Sequence, residues 1–575
     1  MTVKADIMRC NLIVARPTLS NEWFAKELQS CHRTLTKFVI SLLLMKIVEK
    51  ILHINDELPV DYADRIGLSY SVFVTQKHKK NNGQFLTPSP IARFMGKLAQ
   101  SDKSHISILD PGCGTAILSC AIIENLSISN SNLKTISLDA YEIDNEILLF
   151  STNVLDYLKE WLNNKNISFQ YNLIQEDFIL KNANVLKSKS LLFNDSKALE
   201  YDFVISNPPY FKLNKEDKRA KAAESITSGQ PNIYALFMAV SSKMLSPNGQ
   251  LIFITPRSYA SGSYFKSFRE FFFNNVAINQ IHLFDSRKDT FNRDNVLQET
   301  LILKATKENS LKSDSLVAVT SSKGLNDLSN PRLKTYPQSQ ILNLKSKEKI
   351  LHVPVNDEEE EIIDLFHSWT GSLNKYNIQI STGPVVAFRA TEYIKEVYEN
   401  ETVFLAPLLW LHNVYKMRVD WPIHKPNKGQ YIQICSGSQS LLLPNKNYIL
   451  LRRFSAKDDK SRLIASPYFA KLHEYEFVGV ENKVNYIYRP KGELEHNEVI
   501  GLAAILNSSL FDNYFRIFNG NVNVSATELR EMPLPSLEII KRIGDSLILN
   551  NTEFSQEQID DLVIQTILNK NELVL

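Results

Sequence analysis

The sequence of 575 residues has little cysteine and almost no net charge. Its five cysteines include no Cys-x-x-Cys pair, which argues against a zinc ribbon or a disulfide framework and indicates a reducing compartment. Lys and Arg (65) nearly balance Asp and Glu (63), so the formal net charge is only +2. Overall charge therefore does not favour nucleic acid as a partner, and any basic surface must come from an uneven distribution of these residues.

Long hydrophobic runs are also missing. The most apolar early stretch, FVISLLLM at residues 38–45, is far shorter than the roughly 20 apolar residues that a membrane span needs. We expect no membrane partner, and an amphipathic helix over residues 21–54. The first 17 residues show no signal-peptide pattern, which favours a cytoplasmic location.

The chain is long enough for two or three domains. From residue 106 to 254, short β-branched runs alternate with helical patterns. The predicted strands cover residues 106–109, 135–141, 203–205 and 251–254, and the predicted helices cover residues 116–125, 146–163 and 233–245. This alternation predicts an α/β, Rossmann-like, doubly wound sheet that binds its ligand beyond the carboxyl ends of the strands.

Two polar stretches mark the predicted domain boundaries. QKHKKNNG at residues 76–83 ends a helical N-terminal segment, 1–83, and a Ser- and Lys-rich stretch at residues 307–332 follows the α/β domain, 84–306. Mixed short strands and helices then predict an α+β domain over residues 307–575.

A glycine turn follows the first predicted strand, in DPGCGTA at residues 110–116. Gly112 and Gly114 allow a tight turn and the close approach of a ligand, and the next helix begins there with free N–H groups for a carboxylate. Asp110 can face a ligand amino group. Ile117 replaces the third glycine of the dinucleotide fingerprint, which argues against a dinucleotide.

Acidic residues end the next two predicted strands. Glu142 stands where such folds hold ribose hydroxyls, and Asp177 can accept a hydrogen bond from the exocyclic amine of adenine. Ile143 and Phe178 are predicted to sandwich the adenine ring. In this order and spacing the residues suit S-adenosylmethionine, whose carboxylate can bind at the helix N-terminus.

Two adjacent prolines stand in SNPPY, residues 206–210, directly after the apolar run 203–205. They remove two backbone donors and stiffen the chain. An amine whose lone pair is delocalised into a ring is a poor nucleophile, and acceptors aimed at its N–H groups counter that delocalisation. We predict that the Asn207 side chain and the Pro208 carbonyl are these acceptors, and that Tyr210 offers a ring face on which a planar base stacks.

These motifs, with GQFLTP at residues 83–88, NIYALF at 232–237 and GQLIFITP at 249–256, resemble the gamma-class adenine-N6 DNA methyltransferases of bacterial restriction-modification systems. The resemblance covers residues 84–306 well. It implies a methyltransferase domain there, with Thr87 as a further cofactor contact and Phe291, in DTFN, as the second aromatic residue around the base. Ala116 departs from the glycine of many relatives.

More loosely, residues 307–575 resemble the target-recognition domain of that family, in STGP, LNS and ATELR. The resemblance implies duplex DNA as the substrate, flipping of the target adenine, and no catalytic metal. It further implies a separate restriction endonuclease as functional partner, a monomer, and a place in the bacterial cytoplasm beside the nucleoid.

Two basic clusters are candidate DNA contacts. The first follows SNPPY and contains Lys212, Lys215, Lys218 and Arg219. The second contains Arg452 and Arg453, together with Lys457, Lys460 and Arg462. Both would bind phosphates without reading bases, and for the first cluster a solvated loop is an equal alternative.

Other methyltransferase classes fit less well. Cytosine C5 methylation needs a cysteine that usually follows proline, and no cysteine here does. Cytosine N4 enzymes share the chemistry, but Asn207 favours adenine. Enzymes that modify a glutamine amide of a protein, or an RNA base, carry NPPY in shorter chains.

A fused nuclease is not expected, since residues 1–80 contain no Asp/Glu-x-Lys triplet. The intact motif argues against a non-catalytic relic.

Overall fold

The computed structural model describes residues 54, 56–186, 200–227, 230–284, 300–307, 315–342, 344, 348–354, 356–396, 404–455, 459–470, 475–519, 524–550 and 555–568. The chain forms two compact units. Unit 1 comprises Met1–Asn182, Ala198–Pro209 and Gly249–Phe253, and unit 2 comprises Ala183–Lys197, Tyr210–Asn248 and Ile254–Leu575. Apart from residue 54, the helix that we predict over residues 21–54 lies outside the described residues.

Unit 1 is built from helices around a parallel sheet. Its helices are α1 (Pro59–Phe73), α2 (Gln76–Asn82), α3 (Ser89–Lys97), α4 (Ile117–Ser129), α5 (Asn145–Asn163) and α6 (Phe178–Asn182). Its strands are β1 (His105–Pro111), β2 (Thr135–Tyr141), β3 (Ser168–Ile174), β4 (Tyr201–Ser206) and the middle of β5 (Leu245–Pro256). The predicted strands and helices of this region are therefore confirmed, with ends that differ by a few residues.

The strand order in unit 1 is β3-β2-β1-β4-β5. β1 pairs in parallel with β2 on one side and with β4 on the other, where Ile108 faces Phe203. β1 and β4 are buried over most of their length, as expected for central strands of a parallel sheet that has helices on both faces. The order changes direction between β1 and β4, which is the switch point where a doubly wound sheet binds its ligand. The predicted fold class is confirmed.

The polar stretch 76–83, predicted as a boundary, forms α2. Gly83 ends this helix with a φ of 59°, and the Gln84 N–H donates to the Lys79 carbonyl at 2.9 Å. A left-handed glycine directly after a helix is a common helix end, which the lysine-rich composition conceals. The two units interleave along the chain, so the predicted boundaries at residues 83 and 306 stay a proposal.

Unit 2 contains the remaining elements. Its helices are α7 (Lys218–Ala222), α8 (Ile233–Lys243), α9 (Lys266–Phe273), α10 (Gln338–Ile341), α11 (Asp357–Ser368), α12 (His496–Asn507), α13 (Ser509–Phe518), α14 (Ala526–Glu531), α15 (Leu537–Asn550) and α16 (Gln556–Leu568). Its strands are β6 (Ala277–Phe284), β7 (Thr300–Thr306), β8 (Leu316–Ser322), β9 (Arg332–Pro337), β10 (Gln379–Thr382), β11 (Ile394–Lys395), β12 (Leu405–Leu409), β13 (Val414–Tyr415), β14 (Arg418–Val419), β15 (Tyr431–Gln433), β16 (Leu442–Pro444), β17 (Tyr448–Arg452), β18 (Ala465–Tyr468), β19 (Phe477–Val480) and β20 (Val484–Tyr488).

Strands of unit 2 form mixed and antiparallel sheets, in the orders β7-β6-β8-β9, β10-β20-β17-β18 and β11-β15-β12-β19-β16, with a β13-β14 hairpin. The Ser- and Lys-rich stretch 307–332 thus contains β8, which pairs in parallel with β6. The serines of this stretch favoured an irregular boundary, but Val317 and Val319 of β8 are buried, as in an ordinary strand. Within the described residues, no helix combines the length and apolarity needed to cross a bilayer.

Helices α12 and α15 of unit 2 pack against each other at two glycines. A Cβ at Gly501 would lie inside van der Waals distance of the Ile540 carbonyl oxygen, and one at Gly544 would meet the Asn497 carbonyl oxygen in the same way. Each glycine therefore allows the backbone of the partner helix to approach closely. The main-chain atoms that would be met cannot turn aside as a flexible side chain can.

Gly544→Ala should accordingly destabilise unit 2 by about 1–3 kcal/mol, because overpacking would push the helices apart. Chemical denaturation followed by circular dichroism measures this loss. Gly67→Ala in α1 is the matched control, since its Cβ would meet Thr115 Oγ1 only at 3.4 Å. Equal effects of the two substitutions would contradict the explanation.

Candidate active site

The loop after β1 is held by main-chain hydrogen bonds. The N–H groups of Gly112 and Cys113 both donate to the Tyr141 carbonyl at 2.9 Å. Gly112 and Gly114 have φ values of 75° and 53°, a conformation that side chains disfavour. Ala116 shares it, with a φ of 61°, directly before α4. The predicted tight turn is present, and Ala116 adopts this conformation although it carries a side chain.

Glu142 lies at the end of β2 and reaches this loop. Its Oε2 accepts from the Gly114 N–H at 3.0 Å, and its Oε1 accepts from the Asp144 N–H at 2.9 Å. Burial raises the pKa of Glu142, while these two N–H groups act in the opposite direction. Each carboxylate oxygen can accept a second hydrogen bond, so Glu142 can bind hydroxyl groups without losing its present partners.

Asp110 is completely buried at the end of β1. Ser119 Oγ donates to its Oδ2 at 2.6 Å, whereas its Oδ1 accepts no hydrogen bond from the described residues. Burial raises the pKa of Asp110 to about 7, and the Glu142 carboxylate adds to this effect. A buried acceptor without a donor is costly, so the Asp110 side chain suits a ligand that brings a positively charged donor.

The residues predicted to contact the adenine ring differ in how exposed they are. Ile143 is 60% exposed and offers an open apolar face. Phe178 is only 2% exposed and packs edge-on against Tyr141, so it offers no open ring face. Asp177 Oδ1 accepts from the Leu180 N–H at 2.9 Å, at the start of α6. The expected sandwich of Ile143 and Phe178 would therefore require the Phe178 ring to move.

The amide of Asn207 follows β4 and has a defined orientation. Its Nδ2 donates to the Phe85 carbonyl at 2.9 Å and to Thr87 Oγ1 at 3.0 Å. A carbonyl oxygen can only accept, so the nitrogen of the amide must face Phe85. The Oδ1 atom consequently faces the opposite way. Thr87, which the resemblance assigns to the cofactor, here holds Asn207.

Strand β4 ends beside β1 through a further hydrogen bond. Ser206 Oγ donates to the Pro111 carbonyl at 2.6 Å. This bond ties the residue before Asn207 to the residue after Asp110. The structure therefore brings together the start of SNPPY and the glycine turn, which the sequence separates by nearly a hundred residues.

Tyr210, the last residue of SNPPY, belongs to unit 2. Its hydroxyl donates to the Ile254 carbonyl at 3.1 Å, and its ring lies edge-on to Tyr234 with centroids 6.2 Å apart. Tyr210 as a whole is half-buried. Phe291, the predicted second aromatic residue, lies outside the described residues.

The first basic cluster contains both engaged and exposed side chains. Arg219 forms two hydrogen bonds to Asp217, at 2.9 and 2.6 Å, so part of its charge is neutralised. Lys212 Nζ lies 4.5 Å from the centroid of the Tyr264 ring. Lys215 and Lys218 are exposed. These two lysines are the members best placed to reach a phosphate.

The second cluster divides in a similar way. Arg452 Nε donates to the Val414 carbonyl at 2.7 Å, and Arg453 Nη1 donates to the Asn482 carbonyl at 3.0 Å. Both arginines remain partly exposed. Arg462 is 1% exposed and donates to Asn519 Oδ1 at 2.8 Å, so it stabilises the core and cannot contact DNA as predicted. Lys457 lies outside the described residues, and Lys460 is exposed.

One cluster in unit 1 was missed by the sequence reasoning. Asp144 Oδ2 accepts from Tyr70 Oη at 3.1 Å, from His78 Nε2 at 2.7 Å and from Gln84 Nε2 at 2.7 Å. Burial alone would raise the pKa of Asp144, but the hydrogen bonds from His78, the Glu146 N–H and Gln84 lower it. The available signal was the helix-capping position of Asp144, whose Oδ1 accepts from the Glu146 N–H.

Comparison with known proteins identifies the family. Residues 116–291 match the Eco57I restriction-modification methylase family. The chain is 33% identical over 485 residues to the Type II methyltransferase M.PstI of Providencia stuartii, covering 84% of this chain and 92% of that protein. The chain belongs to the Type II restriction-modification methyltransferases. The resemblance predicted from its motifs is confirmed at this level.

A second relative and a solved structure are similar to this methyltransferase. The Type II methyltransferase M.BsuBI of Bacillus subtilis is 32% identical over 497 residues, covering 86% of this chain and 95% of that protein. A nuclease-deletion mutant of the Type ISP restriction-modification enzyme LlaGI, in complex with a DNA substrate mimic, aligns with a TM-score of 0.47 and 11% identity. It covers 84% of this chain and 48% of that chain.

The raised pKa of Asp110 predicts a pH-dependent stability. Between its ordinary pKa of 3.8 and the folded value of about 7, the folded chain binds a proton that the unfolded chain releases, so the free energy of unfolding falls as the pH rises. Asp110→Asn should therefore raise the melting temperature of the ligand-free protein at pH 8, by about 2 °C or more, and raise it less at pH 5. Calorimetry at both pH values measures this.

Asp202→Asn is the control of opposite sign. Burial by itself raises the pKa of Asp202, but its bonds to Lys103 and Ser107 lower it overall. Loss of the charge there should lower the melting temperature at pH 8. An Asp110→Asn gain that does not depend on pH would contradict the assigned cause.

Proposed function

We propose that this methyltransferase transfers a methyl group from S-adenosylmethionine to the N6 amine of an adenine that is flipped out of duplex DNA. The observation that carries the proposal is the orientation of Asn207. Its amide nitrogen donates to Phe85 and Thr87, so its oxygen faces the other way and is proposed to accept from the target amine. An asparagine held in this way accepts a hydrogen bond from an amine and does not donate one to a ring nitrogen.

This acceptor serves the chemistry of a planar amine. Accepting from an N–H group pushes electron density back onto the nitrogen and makes it a better nucleophile in the transition state. The nitrogen would form a bond to the methyl carbon while the bond between that carbon and the sulfonium sulfur breaks. S-adenosylhomocysteine would leave, and the methylated amine would lose one proton to solvent. Pro208 is proposed to supply the second acceptor through its main-chain carbonyl.

The residues at the end of β1 and β2 fit the cofactor. S-adenosylmethionine supplies an electrophilic methyl group on a positively charged sulfur. Asp110 would accept from its ammonium group, because Asp110 Oδ1 is buried and accepts nothing from the described residues. Glu142 would accept from the ribose hydroxyls with its remaining lone pairs, and the turn around Gly112 and Gly114 would approach its carboxylate. Asp177 and Ile143 are proposed to contact the adenine of the cofactor.

Family membership supports DNA as the substrate. Identity to M.PstI extends over 84% of this chain, so it includes most of the residues beyond the methyltransferase motifs. Those residues are proposed to be a target-recognition domain, and Tyr210 to stack on the flipped base with Phe291 on its other face. A separate restriction endonuclease is the proposed functional partner. A monomer in the bacterial cytoplasm, beside the nucleoid, is the proposed state.

Asn207→Ala tests the proposal directly. We expect the rate of methyl transfer to fall by about 100-fold or more, because the acceptor acts mainly in the transition state, while the dissociation constant of S-adenosylmethionine stays near that of the unchanged protein. Transfer of a labelled methyl group to unmethylated DNA, followed by nucleoside analysis for N6-methyladenine, gives the rate. Asn130→Ala is the control, since its Nδ2 donates to the Lys103 carbonyl at 2.8 Å in the same unit.

Two outcomes would overturn the proposal. One is a purified protein that leaves DNA without N6-methyladenine and methylates a glutamine of a protein, or an RNA base. The other is an Asn207→Ala variant that loses affinity for the cofactor as strongly as it loses activity.

The exposed lysines of the first basic cluster predict a salt effect. Lys215→Ala and Lys218→Ala should each reduce the slope of log affinity against log salt by about 0.9, because each would remove one phosphate contact. Fluorescence anisotropy with duplexes of different sequence measures this, and the loss should be the same for every sequence. Lys323→Ala, another exposed lysine, is the control. Slopes unchanged in both lysine variants would favour the solvated-loop alternative.

A further inference from the structure

The segment from Gln84 to Thr87 contacts both halves of the proposed reaction site. At its start, Gln84 Nε2 donates to Asp144 Oδ2 at 2.7 Å. One and three residues later, the Phe85 carbonyl and Thr87 Oγ1 accept from the Asn207 amide. Even a fully extended chain spans at most about 3.3–3.6 Å per residue, so a segment this short limits how far its two contacts can separate.

Asp144 connects the Gln84 side chain to Glu142, the carboxylate that is proposed to bind the ribose hydroxyls. Its N–H donates to Glu142 Oε1 at 2.9 Å, while its Oδ2 accepts from Gln84. Asp144 therefore connects Gln84, through its side chain, to Glu142, through its main-chain N–H group. The amide of Gln84 is oriented without ambiguity, because a carboxylate can only accept.

Neighbouring side chains hold Gln84 in place. Tyr70 Oη donates to Gln84 Oε1 at 3.2 Å and also lies 3.1 Å from Asp144 Oδ2, so its single proton is shared between the two acceptors. His78, on α2, lies 2.7 Å from Asp144 Oδ2. The Gln84 N–H ends α2 by donating to the Lys79 carbonyl. Both ends of the Gln84 side-chain amide thus have partners from different parts of unit 1.

We infer that Gln84 is a positioning residue, which fixes the distance between the Glu142 carboxylate and the Asn207 amide and so aligns the methyl donor with the amine. The inference rests on the proposed function. Gln84 need not touch either substrate, since it acts through Asp144 on one side and through Phe85 and Thr87 on the other. The inference predicts that a change at Gln84 weakens cofactor binding and also slows methyl transfer. A residue that served only to end α2 would not affect both quantities.

Gln84→Met tests the inference, because methionine keeps the length of the side chain and lacks the donor. We expect the dissociation constant of S-adenosylmethionine, measured by titration calorimetry, to rise about tenfold, as for other hydrogen bonds to charged groups. We also expect the single-turnover rate of methyl transfer to DNA, at saturating cofactor, to fall about tenfold. Gln84→Glu should be worse in both, because it turns a second carboxylate toward Asp144.

Gln250→Met is the matched control. Gln250 Nε2 donates to the Gln100 carbonyl at 2.6 Å, in unit 1 but away from the Asp144 cluster. It should leave both quantities within about twofold of the unchanged protein, as most surface substitutions do. In an Asp144→Ala background, Gln84→Met should cost no further affinity, because the acceptor through which Gln84 acts is then absent.

Tyr70→Phe keeps the test decisive if Gln84→Met fails to fold. It removes only the hydroxyl that holds Gln84 and Asp144, and it should change both quantities in the same direction by about threefold. No change in Tyr70→Phe, equal effects of Gln84→Met and Gln250→Met, or additive losses with Asp144→Ala would each overturn the inference. An unchanged protein that neither binds the cofactor nor methylates DNA would instead overturn the proposed function.

Discussion

The hydrogen bond from Asn207 Nδ2 to the Phe85 carbonyl decides what the site can do. An asparagine amide has a donor end and an acceptor end, and rotation by half a turn exchanges them. Because a main-chain carbonyl cannot donate, the donor end is fixed toward Phe85, and the acceptor end faces away from it. The same side chain turned round would bind a ring nitrogen and leave an amine unreactive. The GQFLTP segment therefore fixes the orientation of a side chain that lies more than a hundred residues further along the chain.

Two buried carboxylates, Asp110 and Glu142, dominate the electrostatics of the proposed cofactor site. Asp110 and Glu142 both lie at the ends of central strands, where desolvation raises their pKa values. Two acidic groups in one small volume destabilise the ligand-free fold, and the proposed ligand, with an ammonium group and hydroxyl groups, would relieve that cost. If the proposal holds, these two carboxylates lower the stability of the ligand-free protein and favour binding of the ligand. Main-chain N–H groups moderate the conflict at Glu142, where two of them donate to the carboxylate.

Local patterns in the sequence predicted the parts of this site that depend on local structure. Strands β1, β2 and β4 follow from runs of β-branched residues, and the turn at Gly112 and Gly114 follows from the freedom of glycine at positive φ. Contacts between distant side chains were not predictable in the same way. The Gln84 and Asp144 side chains are 60 residues apart along the sequence. The lysine-rich stretch 76–83 did not predict a helix, and so it did not predict that His78 on this helix contacts the Asp144 carboxylate.

Besides contacts between distant side chains, the sequence did not reveal which individual side chains are buried. The motif order predicts that Phe178 contacts the adenine ring, and the basic cluster predicts that Arg462 contacts DNA, yet both side chains are nearly inaccessible because neighbouring elements cover them. An arginine in a basic run is expected at the surface, but Arg462 lies over the Phe515 ring and donates to Asn519 in the core. Whether a cationic side chain faces solvent or a core depends on how whole elements pack, and the order of residues in a single sequence does not reveal that packing.

The two prolines of SNPPY can be understood from the strand that precedes them. β4 ends at Ser206, and the hydroxyl of that residue already ties it to Pro111 at the end of β1. Beyond this point a ladder hydrogen bond is no longer needed, so prolines cost no pairing and remove freedom instead. Asn207 is then held from three directions: by β4 before it, by Pro208 and Pro209 after it, and by Phe85 and Thr87 at its side chain. A poorly nucleophilic amine gains most from an acceptor that does not move during the reaction, because no energy is then spent on reorienting it.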